Sequence, residues 1–488
     1  MKLDQISKHQ TKLPSDPLNF LQLKRETPDK RASEARRIDF KEIYQTDLGY
    51  QSANQAARCL DCGNPYCEWK CPLHNYIPNW LDYVANEQYQ QAAELMYETN
   101  PLPEICGRVC PQDRLCEQAC TLNTGFGAVT IGAIEKNITD RAIANKWRPT
   151  VPELTKNAKK VAIIGAGPAG LACADQLARH GVKAVVFDKY PEIGGLLTFG
   201  IPGFKLEKDV IRKRRVFLQD IGVEFRLNTD VGKDIKFEQI RQEFDDVFLA
   251  MGTYTSVIAD LPGMNSKGVY KALDYLVGNI NQLEKFNMTE FPEINLKGKK
   301  VVVLGGGDTA MDCVRTAIRQ NAKKVTCVYR RDEHSMPGSK TEVNNAKEEG
   351  VEFKFCLTPV SIEQQSDSDL IQSVVFSKMQ EQTDQETGVK SFLVSEQQSI
   401  IECDAVIVAF GFKASPQEWF TTAGIELNSH GLVKNSDGKS SEDGGSLRTS
   451  AENIYAGGDM VRGADLVVTA VAEGVKAAQE IVAKYTSC

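Results

Sequence analysis

Eight of the fourteen cysteines in this chain fall between positions 59 and 120, in two compact groups that each include a proline. The first group has the pattern C-x2-C-x4-C-x3-C-P and the second C-x3-C-P-x4-C-x3-C, formed by Cys59, Cys62, Cys67 and Cys71 and by Cys106, Cys110, Cys116 and Cys120. Iron–sulfur clusters need several thiolates around one inorganic core, and close spacing lowers the entropic cost of gathering them. The two groups therefore favour two iron–sulfur clusters.

Structural zinc, disulfides and buried thiols are the alternatives for these cysteines. Zinc sites usually have two close Cys pairs separated by a longer loop and often include His, whereas here four cysteines crowd between positions 59 and 71 and only His74 is close by. In bacterial two-cluster ferredoxins the Cys just before Pro serves the other cluster. By that analogy Cys71, which precedes Pro72, serves with the second group.

A glycine-rich turn follows the apolar strand VAII and opens a helix. Its predicted cofactor-binding residues are Gly165, Gly167, Pro168, Ala169 and Gly170. The first glycine permits the tight turn, the second lets a pyrophosphate approach backbone N–H groups, and the third allows close packing of helix on strand. Asp188 ends the next strand and is predicted to accept hydrogen bonds from ribose hydroxyls, which indicates an unmodified ribose, as in FAD.

Two further segments point to a flavin. Near the C-terminus, Gly457-Gly458-Asp459 stands between a strand and a helix, and its turn is predicted to present Asp459 to a polyol such as flavin ribitol. Such a turn alone is common, but together with the upstream GAGPAG it is a fairly specific flavoprotein signal. The segment GGLLTFGIPGFKL, with Gly195 and Leu196 near its start, is predicted to lie against the flavin. An ordinary glycine-rich loop is the alternative for that segment.

The strand VVVL and the pattern G-x-G-x-x-A repeat the first unit later in the chain. The predicted cofactor-binding residues of this repeat are Gly305, Gly307, Asp308, Thr309 and Ala310. The following strand ends in Arg330 and Arg331, where an acidic residue would select an unmodified ribose. Two guanidiniums there favour a 2′-phosphate and thus NADPH over NADH. Two solvated arginines are the alternative.

Two parallel-sheet domains are needed to position these turns. Each motif strand is short and wholly apolar, as in a buried parallel sheet, and each is followed by an amphipathic helix. VFLAMGT and VIVAFGF are matched strands that predict where the chain leaves one domain and later returns to it. The predicted fold class is α/β: an N-terminal helical iron–sulfur domain followed by two doubly wound, Rossmann-like nucleotide-binding domains, with the NADPH domain inserted in the FAD domain.

Changes in composition divide the chain into five predicted parts. Residues 1–40 are a polar N-terminal arm, and residues 41–150 form the helical 4Fe–4S domain. Residues 156–295 and 413–488 are the two parts of the FAD-binding domain. Residues 296–412 are the NADPH-binding domain between them.

Composition also excludes two classes of partner. With a net charge of -7 the chain has no global basic field, so we expect no binding to nucleic acid. No apolar run reaches the ~18–20 residues needed to cross a bilayer, and the first residues lack the apolar core of a secretion signal. We therefore expect a cytoplasmic protein without membrane association.

Over nearly its whole length the sequence resembles the small subunit of bacterial NADPH-dependent glutamate synthase, notably in RCLDCGNPYCEWKCPLHNYIPNW, CGRVCPQDRLCEQAC and GAVTIGAIEKNITD. A broader family shares the layout, including the N-terminal half of dihydropyrimidine dehydrogenase and the large subunit of NADH-dependent ferredoxin:NADP oxidoreductase. The resemblance implies one FAD, one NADPH site and two 4Fe–4S clusters. It implies Cys59, Cys62, Cys67 and Cys120 as ligands of one cluster and Cys71, Cys110, Cys116 and Glu135 as ligands of the other, with Cys106 as the substitute for Glu135.

The resemblance also implies a function. NADPH would pass hydride to FAD, and single electrons would run through the clusters to a separate large (alpha) subunit that makes glutamate from glutamine and 2-oxoglutarate, in a hetero-oligomer. No catalytic acid–base residue is needed, because the cofactors carry the chemistry. An amidotransferase with an N-terminal nucleophile would need Cys directly after Met1, where Lys2 stands. Glutamate formation is therefore expected of the partner.

Two other oxidoreductase functions compete with this one. A member of the same family would deliver electrons to ferredoxin or another acceptor, and its sequence would differ mainly outside the shared cofactor motifs. An enzyme of the thioredoxin reductase kind has the same two nucleotide domains but requires a redox C-x-x-C beside the flavin. No C-x-x-C occurs after Cys120, which counts strongly against that second alternative.

Overall fold

The computed structural model describes residues 16–45, 51–383, 390–439 and 444–486. The chain forms two compact units. The first contains the residues up to Asp29 together with Gln45–Trp147, and the second contains Lys30–Tyr44 together with Arg148–Cys488. Residues 1–15 of the expected polar arm lie outside the described residues.

Helices build the first unit. In chain order the helices up to residue 147 are α1 (Ser33–Arg36, in the second unit), α2 (Ser52–Ala56), α3 (Tyr66–Lys70), α4 (Ile77–Ala85), α5 (Tyr89–Thr99), α6 (Pro103–Val109), α7 (Cys116–Ala119) and α8 (Ile131–Ala144). Apolar residues three or four positions apart, such as Ile77, Trp80 and Val84 in α4, bury one face of a helix. They share one core with Met96 of α5 and Ile134 of α8.

Three cysteines stand directly after the last residue of a helix, in extended backbone. Cys71 follows α3, Cys110 follows α6 and Cys120 follows α7, with ψ of 124°, 138° and 129°. Pro72 and Pro111 come next in the first two cases, and a proline disfavours the helical conformation of the residue before it. The helix ends therefore hold these thiols at the margin of the helical core.

The second unit alternates strands and helices. Its elements up to the first crossing between domains are β1 (Lys160–Ile164), α9 (Pro168–Arg179), β2 (Lys183–Phe187), α10 (Leu196–Phe199), α11 (Lys208–Asp220), β3 (Glu224–Arg226), α12 (Phe237–Glu243) and β4 (Asp246–Leu249). The next are β5 (Thr255–Ser256), β6 (Val269–Lys271), α13 (Ala272–Glu284), β7 (Lys300–Leu304), α14 (Asp308–Arg319), β8 (Lys324–Tyr329), α15 (Lys340–Glu348) and β9 (Glu352–Phe355). The last are β10 (Leu357–Gln364), β11 (Ile371–Thr383), β12 (Lys390–Glu402), β13 (Ala405–Val408), β14 (Phe412–Lys413), α16 (Trp419–Thr422), β15 (Ile454–Ala456), α17 (Asp459–Arg462) and α18 (Val467–Thr486).

Two parallel five-stranded sheets form the frame of the second unit. The first has the strand order β15-β4-β1-β2-β3 and the second the order β6-β13-β7-β8-β9. The motif strands β1 and β7 stand in the middle of their sheets, where Ile163 pairs with Val186 on one side and Phe248 on the other. Helices follow these strands as the apolar patterns predict, so the predicted α/β class with an N-terminal helical domain is confirmed.

The second sheet domain is inserted in the first. The chain leaves the first sheet after β4, passes through β5, and returns through β14, which pairs antiparallel with β5. It then adds β15 beside β4, with Ile454 opposite Val247. The predicted insertion is thus confirmed. Strand β6 lies before residue 296, the expected start of the inserted domain, and yet pairs with β13 of the second sheet.

A small antiparallel sheet was not expected from the sequence. It has the order β10-β11-β12. Val374 and Phe376 of β11 belong to the same core as Val302, Leu304 and Val408 of the second sheet. This sheet therefore covers one face of the inserted domain. Among the helices that the structure describes, none combines the length and apolar character that a membrane span requires.

Candidate functional site

Four of the sequence-predicted cysteines line one cavity of the first unit. The cavity is lined by Cys59, Cys62, Cys67 and Cys120 together with apolar side chains that include Leu81, Val129 and Ile131. Burial, with a smaller contribution from neighbouring thiols, raises the pKa of Cys59 and of Cys67 to about 12. Thiols of this kind become thiolates when a metal replaces their protons. The donor set and the apolar wall fit an iron–sulfur cluster.

The remaining predicted cysteines form a second group in the same unit. Electrostatic contacts link Cys71 with Cys106 and Glu135. Cys110 forms a hydrogen bond with Cys106 and also interacts with Cys116. Burial raises the pKa of Cys71 to about 12, while the hydrogen bond and burial raise the pKa of Cys110. Across the described residues, no three Cys, His, Asp or Glu side chains converge tightly enough to hold a single metal ion.

Two asparagines hold the Glu135 carboxylate in this second group. Its Oε1 accepts hydrogen bonds from Nδ2 of Asn100 at 2.9 Å and from Nδ2 of Asn75 at 3.4 Å. The Cys106 thiol donates to Oδ1 of the same Asn100, with 3.8 Å between sulfur and oxygen. Burial raises the pKa of Glu135 to about 8. Glu135 and Cys106 therefore both lie beside Cys71 and Cys110, and the sequence reasoning missed the asparagines that orient them.

The three glycines of the first turn have different surroundings. Gly165 has φ +108°, and a Cβ added there would lie 2.3 Å from the Ala250 carbonyl oxygen. A Cβ on Gly170 would lie 1.9 Å from the Gly165 oxygen, so α9 packs tightly on the turn. A Cβ on Gly167 would meet only the Ala250 oxygen, at 4.0 Å. Gly167 is therefore open, and Pro168 begins α9 directly behind it, where its missing N–H is no loss.

Asp188 braces this turn from the end of β2. Its Oδ2 accepts the Ala166 N–H at 2.7 Å and its Oδ1 accepts the Tyr190 N–H at 2.9 Å. Burial raises the pKa of Asp188 to about 6, against the lowering effect of these two donors. A carboxylate has about four acceptor positions, so two remain for ligand hydroxyls.

The two further flavin-type segments both reach the first turn. The Gly194 N–H donates to the Ala166 oxygen at 2.7 Å, and a Cβ on Gly195 would lie 3.1 Å from the Gly167 Cα. Leu196 then begins α10. The structure thus places the start of GGLLTFGIPGFKL directly against the glycine turn.

The Gly-Gly-Asp turn lies against the start of α9. A Cβ on Gly458 would lie 3.2 Å from the Ala169 Cβ, and Gly458 has φ +74°. Its N–H donates to Oε2 of Glu473 on α18 at 2.5 Å. Burial raises the pKa of Asp459 to about 7. Glu473 therefore fixes the turn that carries Asp459, although nothing in its sequence position predicted this.

The second glycine turn has the same pattern of closed and open positions. Gly305 has φ +143°, and a Cβ there would lie 2.3 Å from the Ala409 oxygen. Gly307 has no atom within 4 Å of an added Cβ, which leaves it open. Ala310 is fully buried, and Thr309 is half-buried.

A loop that the sequence did not predict braces this second turn. The Ser339 N–H donates to Oδ1 of Asp308 at 3.0 Å. The Tyr329 hydroxyl donates to the Ser335 oxygen at 2.8 Å, and the Tyr329 ring covers Gly306. Asp308, the first residue of α14, therefore holds the backbone directly before α15.

Arg330 and Arg331 follow β8 directly, and both side chains are exposed. Strand β8 neighbours β7, which leads into the second glycine turn. The carboxyl ends of neighbouring parallel strands meet at one edge of a sheet, which is where doubly wound folds bind nucleotides. Arg330 and Arg331 therefore stand at the carboxyl-terminal edge of the second sheet, beside the second glycine turn.

Tyr254 is a further residue that the sequence reasoning missed. It follows β4, and its hydroxyl would lie 3.5 Å from a Cβ on Gly195. Burial raises the pKa of Tyr254 well above its usual value, with further contributions from Asp188 and Asp459. The phenol therefore stands among the residues of the first turn, Asp188 and Asp459.

Two family models match the chain. Residues 36–147 match dihydropyrimidine dehydrogenase domain II, 4Fe-4S cluster. Residues 159–474 match pyridine nucleotide-disulphide oxidoreductase. The first match covers both cysteine groups, and the second covers both glycine turns.

Full-length relatives and a solved structure are also similar to the chain. The glutamate synthase (NADPH) small chain of Halomonas elongata is 54% identical over 468 residues, which make up 96% of this chain and 98% of the relative. The small chain of the same name from Escherichia coli K12 is 52% identical over 463 residues, 95% of this chain and 97% of the relative. Mycobacterium tuberculosis FprA in complex with NADPH has a TM-score of 0.53 at 15% identity, over 68% of this chain and 85% of that chain, and shows a shared fold.

Proposed function

Because the chain belongs to the family of the glutamate synthase (NADPH) small chain and is an NADPH-dependent oxidoreductase with an electron-input role, we propose a complete path for its electrons. They pass from NADPH through FAD and two 4Fe–4S clusters to a large (alpha) subunit. That subunit forms glutamate from glutamine and 2-oxoglutarate. The observation that carries this proposal is the presence, in one chain, of two open glycine turns and a cavity lined by four thiols.

We assign FAD to the first glycine turn. The open face of Gly167 leaves room for a pyrophosphate, which the free N–H groups at the start of α9 would bind. Asp188 has acceptor positions left for ribose hydroxyls, and Asp459 is the acceptor for the ribitol. The segment at Gly195 and Leu196 lies against the same turn and would form one wall of the flavin site.

We assign NADPH to the second glycine turn. Gly307 is open in the same way as Gly167, and Thr309 and Ala310 follow in the first turn of α14. Arg330 and Arg331 would bind the 2′-phosphate through charge-assisted hydrogen bonds, which are stronger than bonds between neutral groups. NADH lacks that phosphate, so we propose selectivity for NADPH.

We assign the two cysteine groups to two clusters. The proposed ligands are Cys59, Cys62, Cys67 and Cys120 for one cluster and Cys71, Cys110, Cys116 and Glu135 for the other, with Cys106 as the substitute for Glu135. The shared cavity supports the first set. The electrostatic contacts among the second set support the other.

The chain's own contribution is to bind and orient. When bound, the two nucleotides would supply hydride chemistry and the clusters one-electron conduction. The glycine turns and their braces would fix the two nucleotides, and apolar side chains such as Leu81, Val129 and Ile131 would surround the cluster in the thiol cavity. No side chain has to act as a catalytic acid or base. The name "small chain" of the relatives supports a hetero-oligomer with a separate large subunit.

The test is anaerobic purification followed by assays of iron, inorganic sulfide and flavin, and then by dye reduction with NADPH or NADH. We expect iron, sulfide and FAD in one preparation, faster reduction with NADPH, and glutamate formation when the large subunit is added. Flavin without iron would contradict the cluster assignment. Failure to restore glutamate formation, with dye reduction intact, would favour ferredoxin or another acceptor.

A further inference from the structure

The segment that lies against the first glycine turn continues to the inserted domain. Gly195 contacts the turn, and Lys205 lies in the loop between α10 and α11 of the same segment. The Lys205 Nζ lies 3.0 Å from Oδ1 of Asp312, in α14 of the inserted domain. Helix α14 begins at Asp308, next to the open Gly307. Residues 195–205 therefore contact the first glycine turn at one end and, at the other end, α14, the helix that starts at the second glycine turn.

This ion pair between the domains is buried. The side chains of Lys205 and Asp312 are 14% and 8% exposed. Glu342 of α15 lies 3.8 Å from the same ammonium and also pairs with Arg315 of α14 at 2.6 Å. Charges removed from water are costly unless they are paired. The lysine is thus held by two carboxylates in one arrangement of the domains.

The neighbouring Phe204 adds an apolar part to the contact. Its ring is buried beneath two arginines of α14, with Arg315 at 4.4 Å and Arg319 at 4.0 Å from the ring centroid. Both arginines bind the carboxylate of Glu349, at 2.8 Å and 2.7 Å. Cations over a desolvated ring are attracted to its face. Phe204 and Lys205 therefore contact a preformed charged surface on the inserted domain.

The segment Lys30–Tyr44 closes over this junction. A Cβ on Gly203 would lie 2.7 Å from the Phe40 oxygen, so the two backbones are in contact. The Glu42 N–H donates to Oε1 of Glu207 at 3.1 Å, on the side of the first domain. Arg36 lies 3.7 Å from Glu349, on the side of the inserted domain. This segment therefore touches both domains and keeps the junction buried.

We propose that Lys205 is a positioning residue for hydride transfer, because its ion pair with Asp312 fixes the helix that begins at the NADPH turn relative to the segment that lies against the FAD turn. The proposal rests on the proposed function, since it needs FAD at one turn and NADPH at the other. Lys205 pairs with Asp312, one turn into α14, rather than with a glycine of either turn, so it acts through Asp312.

Hydride transfer depends steeply on the distance between donor and acceptor. The reacting atoms must lie about 3–3.5 Å apart, and a misplacement of about 1 Å costs on the order of 10²-fold in rate. The two nucleotide turns belong to different domains, which are joined covalently only at the crossings through β5 and β14. Loss of the ion pair should therefore slow hydride transfer while each turn still binds its own nucleotide.

The experiment is anaerobic stopped-flow measurement of flavin bleaching by NADPH in the full chain. The variants are Lys205→Met, which keeps the length without the charge, Lys205→Arg, Asp312→Asn and the double variant Lys205→Met/Asp312→Asn. The matched control is Lys213→Met, which removes an exposed lysine of the same domain that pairs with Asp209. The readouts are FAD content, the NADPH concentration for half-maximal rate, the limiting rate, and the charge-transfer absorbance between nicotinamide and flavin.

We expect Lys205→Met and Asp312→Asn to keep FAD and NADPH affinity, to lose charge-transfer absorbance, and to lower the limiting rate about tenfold or more. The double variant should be no slower than either single variant, and Lys205→Arg should recover most of the rate. The control should match the wild-type protein. A wild-type limiting rate in Asp312→Asn would overturn the proposal even if Lys205→Met does not fold. If the wild-type flavin is itself not bleached by NADPH, the proposed function fails instead.

Discussion

The choice of NADPH over NADH gives a sharp test of the residues at the end of β8. Replacing Arg330 and Arg331 with Gln removes two exposed guanidiniums without changing the buried strand. A hydrogen bond to a charged group is worth about 1.5–3 kcal/mol, and the exposure of both arginines favours the lower end. Two such contacts amount to about 3 kcal/mol, and each ~1.4 kcal/mol is a tenfold change in affinity. We therefore expect the KM for NADPH to rise about 100-fold, and the KM for NADH to stay unchanged.

The assay is initial-rate dye reduction with each nucleotide under anaerobic conditions. The control variant is Lys323→Gln, which removes an exposed positive charge directly before the opposite end of the same strand. It should leave both KM values unchanged. Equal rises in KM for NADPH and NADH would refute the assignment of these arginines to a 2′-phosphate, and so would an unchanged preference in the double variant.

Four further substitutions test the first glycine turn, the thiol cavity and a buried lysine. The Gly167→Ala apoprotein should keep the wild-type free energy of unfolding, but the variant should lose FAD. Gly165→Ala should lower the free energy of unfolding of the apoprotein by about 1–3 kcal/mol, because the substitution strains the backbone. Denaturation of the apoprotein and assay of the flavin content distinguish the two outcomes. Cys120→Ser should lose about half of the bound iron, while Cys356→Ser, at a half-buried cysteine far along the chain, should keep all of it by metal analysis. Lys208 is buried, and burial lowers its pKa to about 7 from 10.5. Between about pH 7 and 10.5 the unfolded chain therefore binds a proton at Lys208 that the folded chain lacks. Over this range the free energy of unfolding of the wild-type protein, relative to that of Lys208→Met, should rise by up to ~1.4 kcal/mol per pH unit. Denaturant titrations that give the same dependence of the free energy of unfolding on pH for both proteins would contradict this.

The glycine turns are the part of the candidate site that local sequence predicts. When a strand, a turn and a helix follow each other directly in sequence, their geometry fixes where two stretches of backbone come into contact. Gly165 and Gly170 lie at such contacts. The open face of Gly167 follows from the same local geometry. The cysteines at helix ends are similar, because Pro72 and Pro111 act on the residue directly before them.

The parts that the sequence did not predict depend on partners far along the chain. Arg36 stands in a polar stretch that we expected to be an arm, but its ion pair is with Glu348, 312 residues later. Lys205 likewise has no local partner, since Asp312 lies in another domain. Apolar and polar residues alternate only weakly along the strands of the sheet β10-β11-β12, because its outer strand β12 exposes apolar residues such as Ile400. Periodicity reports which face a local element buries, and it carries no information on which distant element covers that face.

In the proposed path, electrons pass from the flavin to the partner through the thiol cavity. The most direct test is Cys59→Ser, measured for two activities in one anaerobic preparation with the large subunit: flavin bleaching by NADPH, and glutamate formation from glutamine and 2-oxoglutarate. We expect flavin bleaching at the wild-type rate and no glutamate. Glutamate formation at the wild-type rate in a variant that has lost the iron of this cavity would contradict it.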